Sequence, residues 1–295
     1  MRKLKEIITA AAFAAVIAVA AQSAQAQNCE ATDYSCKVAS YTKAIAADPS
    51  NGESYYARGQ AFSMLKNDDA AIADFTKYIA SNPETKTYLA DGYNERAIAY
   101  KRKGSLKQAI ADYTSAIAND PTRAMFYNNR GIAYDRTGAV DLAVADYNKA
   151  LALLPNYASA YIGRGNALHT KKDPVGAIAD YTRAIQINSS EAEAYYNRAR
   201  VLAERGEYAK AIADLDKYIS LNPDNLAYLS DGYQNRGIYY YELANYTQAL
   251  KDFTSAIDLD VTDPAPYTSR ALTYRKLGKT ALAAADEAKG ASLKK

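Results

Sequence analysis

The chain has 295 residues, 36 Lys+Arg against 33 Asp+Glu, 27 Tyr and no Trp. Its first 26 residues hold three basic and one acidic side chain, so the remainder carries 33 Lys+Arg against 32 Asp+Glu. A charge that close to neutral gives no electrostatic case for binding nucleic acid or a membrane surface.

Residues 1–26 have the three parts of a signal peptide. Arg2, Lys3 and Lys5 make a basic start, Ile7 to Ala21 an apolar run, and Ala24-Gln25-Ala26 a small-x-small cleavage site. The run falls short of the roughly 20 residues of a spanning helix, so the reading is cleavage after Ala26 and no stable membrane insertion. The mature chain is expected to begin at Gln27, in the periplasm or outside the cell. Cys29 and Cys36 are the only cysteines. In an exported chain they are expected to form a disulfide, worth roughly 2–3 kcal/mol in the chain-entropy model. A redox or metal pair is disfavoured by the absence of CxxC spacing and of a nearby His.

From Gly52 onward one pattern recurs, most clearly in 124–155. Tyr127, Gly131 and Tyr134 are spaced i, i+4, i+7, which places them on one helical face. Gly138 interrupts the pattern, Ala143, Tyr147 and Ala150 form a second stripe, and Pro155 stops the helix. The stripes predict a helical hairpin whose small residues let two backbones approach closely. Pro49, Pro83, Pro121, Pro155 and Pro223 mark successive ends, with Ser189 and Val261 in the same place elsewhere. The period is 34 residues, or 38 where four are inserted.

The period, with small residues at repeat positions 8, 20 and 27 and aromatics at 4, 11 and 24, resembles the tetratricopeptide repeat (TPR) family. The resemblance covers seven tandem repeats, about 52–85, 86–123, 124–157, 158–191, 192–225, 226–263 and 264–295. They follow an N-terminal cap, 27–51, that holds a second-helix half repeat. Two positions depart from the family: its frequent Trp at position 4 is Tyr, and its position-7 Leu is Arg. The resemblance implies an all-α fold, a right-handed α-solenoid of antiparallel helical hairpins.

The second and sixth repeats each carry the four extra residues. YLADGYNERAIAY (88–100) and YLSDGYQNRGIYY (228–240) lie 140 residues apart, so part of the array looks duplicated. Four residues are about one helical turn, so each insertion is expected to lengthen a first helix by roughly 6 Å, as extra packing. In the last repeat Glu287 replaces an aromatic and Gly290 an Ala, and a polar tail follows, which reads as a solenoid cap.

No catalytic, cofactor or metal motif is present, and an enzyme is the least supported reading. His169 is the only histidine, falls opposite the apolar stripe, and reads as a solvated surface residue. Glycines sit at helix contacts and turns instead of a phosphate-cradling loop. Arg recurs at position 7 (Arg58, Arg96, Arg130, Arg164, Arg198, Arg236, Arg270) and Asp at position 23 (Asp74, Asp112, Asp146, Asp180, Asp214, Asp252, Asp286). An arginine ladder for anions is one reading. Mutual pairing is the better one, because half-buried charges need partners.

In TPR arrays positions 2, 5, 9, 12 and 13 of the first helices line the concave face. Here the resemblance puts Tyr56, Asn94, Ile98, Lys101, Arg102, Asn128, Ile132, Arg136, Ile162, Asn166, Tyr196 and Arg200 there. Amides, guanidinium groups and apolar anchors suit an extended peptide, and stacked Arg102 and Arg136 favour acidic groups on it. Lys and Asn never share positions 5 and 9 of one repeat, so the two-carboxylate clamp of chaperone-binding members is not matched. The expected function is a non-catalytic scaffold that binds a protein or peptide. The alternative is a glycan or small ligand on the Tyr- and Asn-rich face. Asn128 and Arg136 are expected to be replaceable without loss of folding, since neither faces the stripe.

Overall fold

A computed structural model describes residues 29–81, 85–221 and 226–294. The leader, Gln27, Pro83 and Pro223 lie outside the described residues. Among the described residues every regular element is a helix. They group into two compact units that meet in sequence at 153/154.

The N-terminal unit contains α1 (Tyr34–Ala47), α2 (Gly52–Met64), α3 (Asp68–Ala80), α4 (Lys86–Arg102), α5 (Leu106–Asn119), α6 (Ala124–Arg136) and α7 (Val140–Leu153). Helix α1 lies in the segment read as a half repeat. Asp33 caps it by accepting from the Cys36 amide at 2.8 Å, and Cys36 is disulfide-bonded to Cys29 with 5.7 Å between Cα atoms. Every helix packs on the one before it, and the first helices α2, α4 and α6 also touch in succession. The C-terminal unit contains α8 (Ala158–Thr170), α9 (Pro174–Ile187), α10 (Ala192–Glu204), α11 (Tyr208–Ser220), α12 (Leu226–Glu242), α13 (Tyr246–Leu259), α14 (Pro264–Lys276) and α15 (Thr280–Leu293). It packs in the same way, with α8 against α10 and α12 against α14.

Helices α4 and α12 are 17 residues long where the other first helices have 13. The insertions therefore add a turn to the first helix, as the spacing predicts. In the first six hairpins the position-24 side chain is fully buried against the small residue at position 8. Phe75, Tyr113, Tyr147, Tyr181 and Phe253 fill this place, with Leu215 in the fifth repeat. A Cβ on Gly131 would stand 2.9 Å from the Tyr147 ring, so glycine there is what admits the ring. Burying a side chain of this size contributes on the order of 2–3 kcal/mol, and its repetition builds the core.

The turn between the two helices of a repeat needs a left-handed residue. Gly104, Gly138, Gly206 and Gly278 supply it with φ between +71° and +78°; Lys66, Lys172 and Ala244 adopt it at φ +57°, +64° and +56°. At the C-terminal end Glu287, which would be an aromatic in an interior repeat, forms a bidentate pair with Arg275.

Candidate functional site

The recurring charges are settled by geometry. In all seven repeats the position-7 Arg donates from Nε and Nη2 to both oxygens of the Asp sixteen residues on, at 2.7–2.8 Å. Several of these arginines also reach back to the previous second helix. Arg58, Arg96, Arg130, Arg198 and Arg270 bond Thr42, Thr76, Thr114, Thr182 and Thr254 through Nη1, and Arg236 bonds Asp216. Each guanidinium also lies 5.4–5.9 Å from the ring of the position-4 Tyr. The two departures from the family pattern, Tyr for Trp and Arg for Leu, are therefore one device. The arginine stacks on the tyrosine and clasps two helices of its own repeat and one of the repeat before.

In the N-terminal unit the candidate groove residues separate into surface and interior. Asn94 and Asn128 are only 1% and 3% exposed, so the expectation that both amides face a ligand is corrected. Asn94 Oδ1 accepts from Asn129 Nδ2 at 3.1 Å, across adjacent first helices. Position 5 lies where those helices touch, and a polar group there must be satisfied internally. Asn128 Oδ1 has no hydrogen-bond partner among the described residues. Replacing Asn128 would therefore perturb the interior. Arg102 is also committed: it pairs with Asp68 and donates to Ser63 Oγ at 2.6 Å.

Ile98, Lys101, Ile132 and Arg136 remain at or near the surface, with Tyr56 half-buried against Phe75 and Tyr78. Burial pushes the Lys101 ammonium below its ordinary range, and Arg136 and Arg102 push it further. Burial likewise raises the Glu95 carboxyl, with Asp91 adding to it. A cavity of about 400 Å³ lies between α1, α2 and α4, lined in part by Tyr41, Gln60, Glu95 and Arg102.

In the C-terminal unit Ile162 is buried with Ala194 and Val201 and serves the core. Asn166 Oδ1 accepts from Tyr181 Oη at 2.7 Å and from Asn197 Nδ2 at 3.1 Å, so this amide too is tied internally. His169 is part-buried, not fully solvated: its Nε2 lies 2.7 Å from a Glu204 carboxylate oxygen. Arg200 is exposed beside Tyr196, which packs against Tyr218 with ring centroids 5.2 Å apart. A cavity of about 430 Å³ is lined by Ala192, Glu193, Tyr196, Tyr218, Tyr228 and Asp231. The sequence offered a signal for it: position 27 is small in every interior repeat except the two that precede an insertion, where it is Tyr78 and Tyr218. Among the described residues no group of three or more His, Cys, Asp or Glu converges as a metal would require. No helix among them is long and apolar enough to cross a membrane.

Three models described as tetratricopeptide repeat match the sequence, over residues 40–73, 94–158 and 165–228. No curated protein matches it. Among solved structures, a tetratricopeptide repeat protein from Parabacteroides merdae is similar, with TM-score 0.61 and 20% identity over 82% of this chain and 93% of its own. MamA aligns with TM-score 0.51 and 27% identity over 59% of this chain and 92% of its own. YrrB, described as a TPR protein with an unusual peptide-binding site, aligns with TM-score 0.52 and 24% identity over 65% and 95%.

Proposed function

The chain belongs to the tetratricopeptide repeat family, and from that premise we propose that it is a non-catalytic, periplasmic scaffold that binds a protein or peptide on its first helices. One observation carries the choice of surface. Lys101 and Arg136 form a positive cluster without a carboxylate partner among the described residues, and burial with neighbouring arginines holds the Lys101 ammonium below its ordinary range. An ammonium kept in that state favours an arriving anion, because it restores the interaction that desolvation removed. The ladder arginines are already spent on aspartates, whereas Lys101 and Arg136 are open to a partner. Ile98 and Ile132 flank it and supply apolar contact. The preferred partner is an extended segment carrying acidic side chains. The description of YrrB is a precedent for peptide binding on this fold. The leader and the Cys29–Cys36 bond support an exported, oxidising compartment.

A panel of extended peptides, acidic, neutral and basic, titrated against the mature chain tests the surface. Acidic members should bind best, and Lys101→Ala with Arg136→Ala should abolish the preference. Retention of full affinity by that double variant would move the site elsewhere. Intact mass of the exported protein tests the compartment: a retained leader, or two free thiols, would refute it.

A further inference from the structure

The two inserted turns build the same constellation twice, 140 residues apart. In the C-terminal unit Tyr196 packs on Tyr218 at 5.2 Å and 45°, and Tyr218 Oη donates to the Tyr228 carbonyl at 2.9 Å. In the N-terminal unit Tyr56 packs on Tyr78 at 4.7 Å and 46°, and Tyr78 Oη donates to the Tyr88 carbonyl at 3.2 Å. Glu193 and Asp231 flank the first set, and Glu53 and Asp91 take the same positions in the second. The motif Tyr-Leu-x-Asp-Gly is explained by this arrangement. Its Gly seats the ring: a Cβ on Gly232 would stand 2.7 Å from Tyr218, and one on Gly92 2.6 Å from Tyr78. Its Asp supplies the carboxylate, and its Tyr is the outer wall, 61% exposed at Tyr228 and 54% at Tyr88. A large exposed ring held over a cavity serves no core.

The copies differ in charge: Glu95 and Gln60 in the N-terminal unit stand where Asn235 and Arg200 do, and the acids are paired differently. Asp91 is paired with the chain's own Arg123, Nη2 to Oδ1 at 3.2 Å. The residue 140 further on is Asp263, another acid, which caps α14 and pushes the Asp231 carboxyl further up beyond the effect of burial. Among the described residues no basic side chain pairs with Glu193 or Asp231, and Arg200 lies near Tyr196 without bonding either. In the N-terminal copy the acid is thus paired with its own cation, whereas in the C-terminal copy Arg200 is near but Glu193 and Asp231 are paired with no basic side chain among the described residues.

We propose that Tyr196, Tyr218 and Tyr228, with Glu193 and Asp231, form a binding site for an alkylammonium group. The ring faces attract a cation through their quadrupoles, the carboxylates neutralise it, and the cavity of about 430 Å³ admits its alkyl stem. A lysine side chain and a polyamine terminus present this same chemistry. The site shares Tyr196 with the first-helix surface but does not depend on an acidic partner binding there.

The test is calorimetric titration of the mature chain with N-acetyl-lysine methylamide, with spermidine, and with neutral chitotriose. Saturable binding of one ammonium probe per chain is expected. Asp231→Asn and Tyr228→Ala, both at exposed side chains, should each weaken it about three- to tenfold, and Tyr88→Ala should not. Arg123→Asp should add a second equivalent of binding by freeing the N-terminal copy. Tighter lysine binding supports a protein source, tighter spermidine binding a free polyamine. The Lys101→Ala/Arg136→Ala chain should bind both normally, which separates this site from the peptide surface. The proposal is overturned if neither cation binds saturably, if both C-terminal variants leave binding unchanged, or if chitotriose binds in their place.

Discussion

Arg130 grips Asp146 with two parallel hydrogen bonds, Nε to Oδ2 at 2.7 Å and Nη2 to Oδ1 at 2.8 Å, with the Asp side chain only 8% exposed. Arg130→Met keeps much of the stem packing but strands a buried carboxylate. The expected loss is about 3 kcal/mol, and Arg130→Met with Asp146→Leu should recover most of it, because no charge is then left buried. Chemical denaturation of the single and double variants checks this. Equal losses in both would mean that packing and not charge dominates.

Asn94 and Asn128 occupy the same repeat position and should respond differently to alanine. Asn94→Ala removes the acceptor of the Asn129 amide and is expected to cost about 1–2 kcal/mol. Asn128 Oδ1 has no partner to abandon, so Asn128→Ala should cost less than Asn94→Ala. Thermal melts of the two variants give the order directly.

Glu95 lies among Asn94, Asp91 and Tyr56, and burial, then Asp91, raises its carboxyl above the ordinary value of 4.5. A raised carboxyl favours the folded state when protonated. Its contribution is full below pH 4.5 and is lost as pH rises through the folded value. Glu95→Gln should therefore stabilise the protein at pH 7, and the gain should vanish below pH 4.5. A gain of the same size at both pH values would refute the assignment.

Ala244 stands at φ +56° in a turn where four other repeats use glycine. Ala244→Gly removes a left-handed strain of about 1 kcal/mol and returns part of it as unfolded-chain entropy. A net gain of about 0.5 kcal/mol is expected in denaturant titrations, whereas Gly104→Ala should lose stability.

Reducing the Cys29–Cys36 bond should loosen α1 selectively. About 2–3 kcal/mol is at stake locally. Amide exchange should speed up across 34–47 while 124–136 stays protected. Uniform acceleration would show that the half repeat nucleates the whole N-terminal unit.

Much of this was legible before any coordinates. The 34-residue period, the hairpins, the extra helical turn of each insertion and the Arg–Asp pairing all follow from positions along a helix, which sequence spacing reports directly. The family assignment followed from the same register. The candidate surface was read less well. Ile98, Lys101, Ile132 and Arg136 lie at or near the surface, but Asn94, Asn128 and Ile162 are buried and Arg102 is paired.

The cause is the difference between a helix face and a helix neighbour. Periodicity states which side of a helix a residue occupies, so the sequence by itself determined the stripe, the hairpin and the repeat. It does not state how near the next first helix comes to that side. Only the tertiary structure decided that position 5 is closed over by an adjacent helix, so that Asn94 finds Asn129. It likewise decided that Tyr218, Tyr228 and Asp231, from two helices and an inserted turn, converge with Tyr196 on one cavity. Such convergence depends on distances between elements, and a one-dimensional pattern does not carry them.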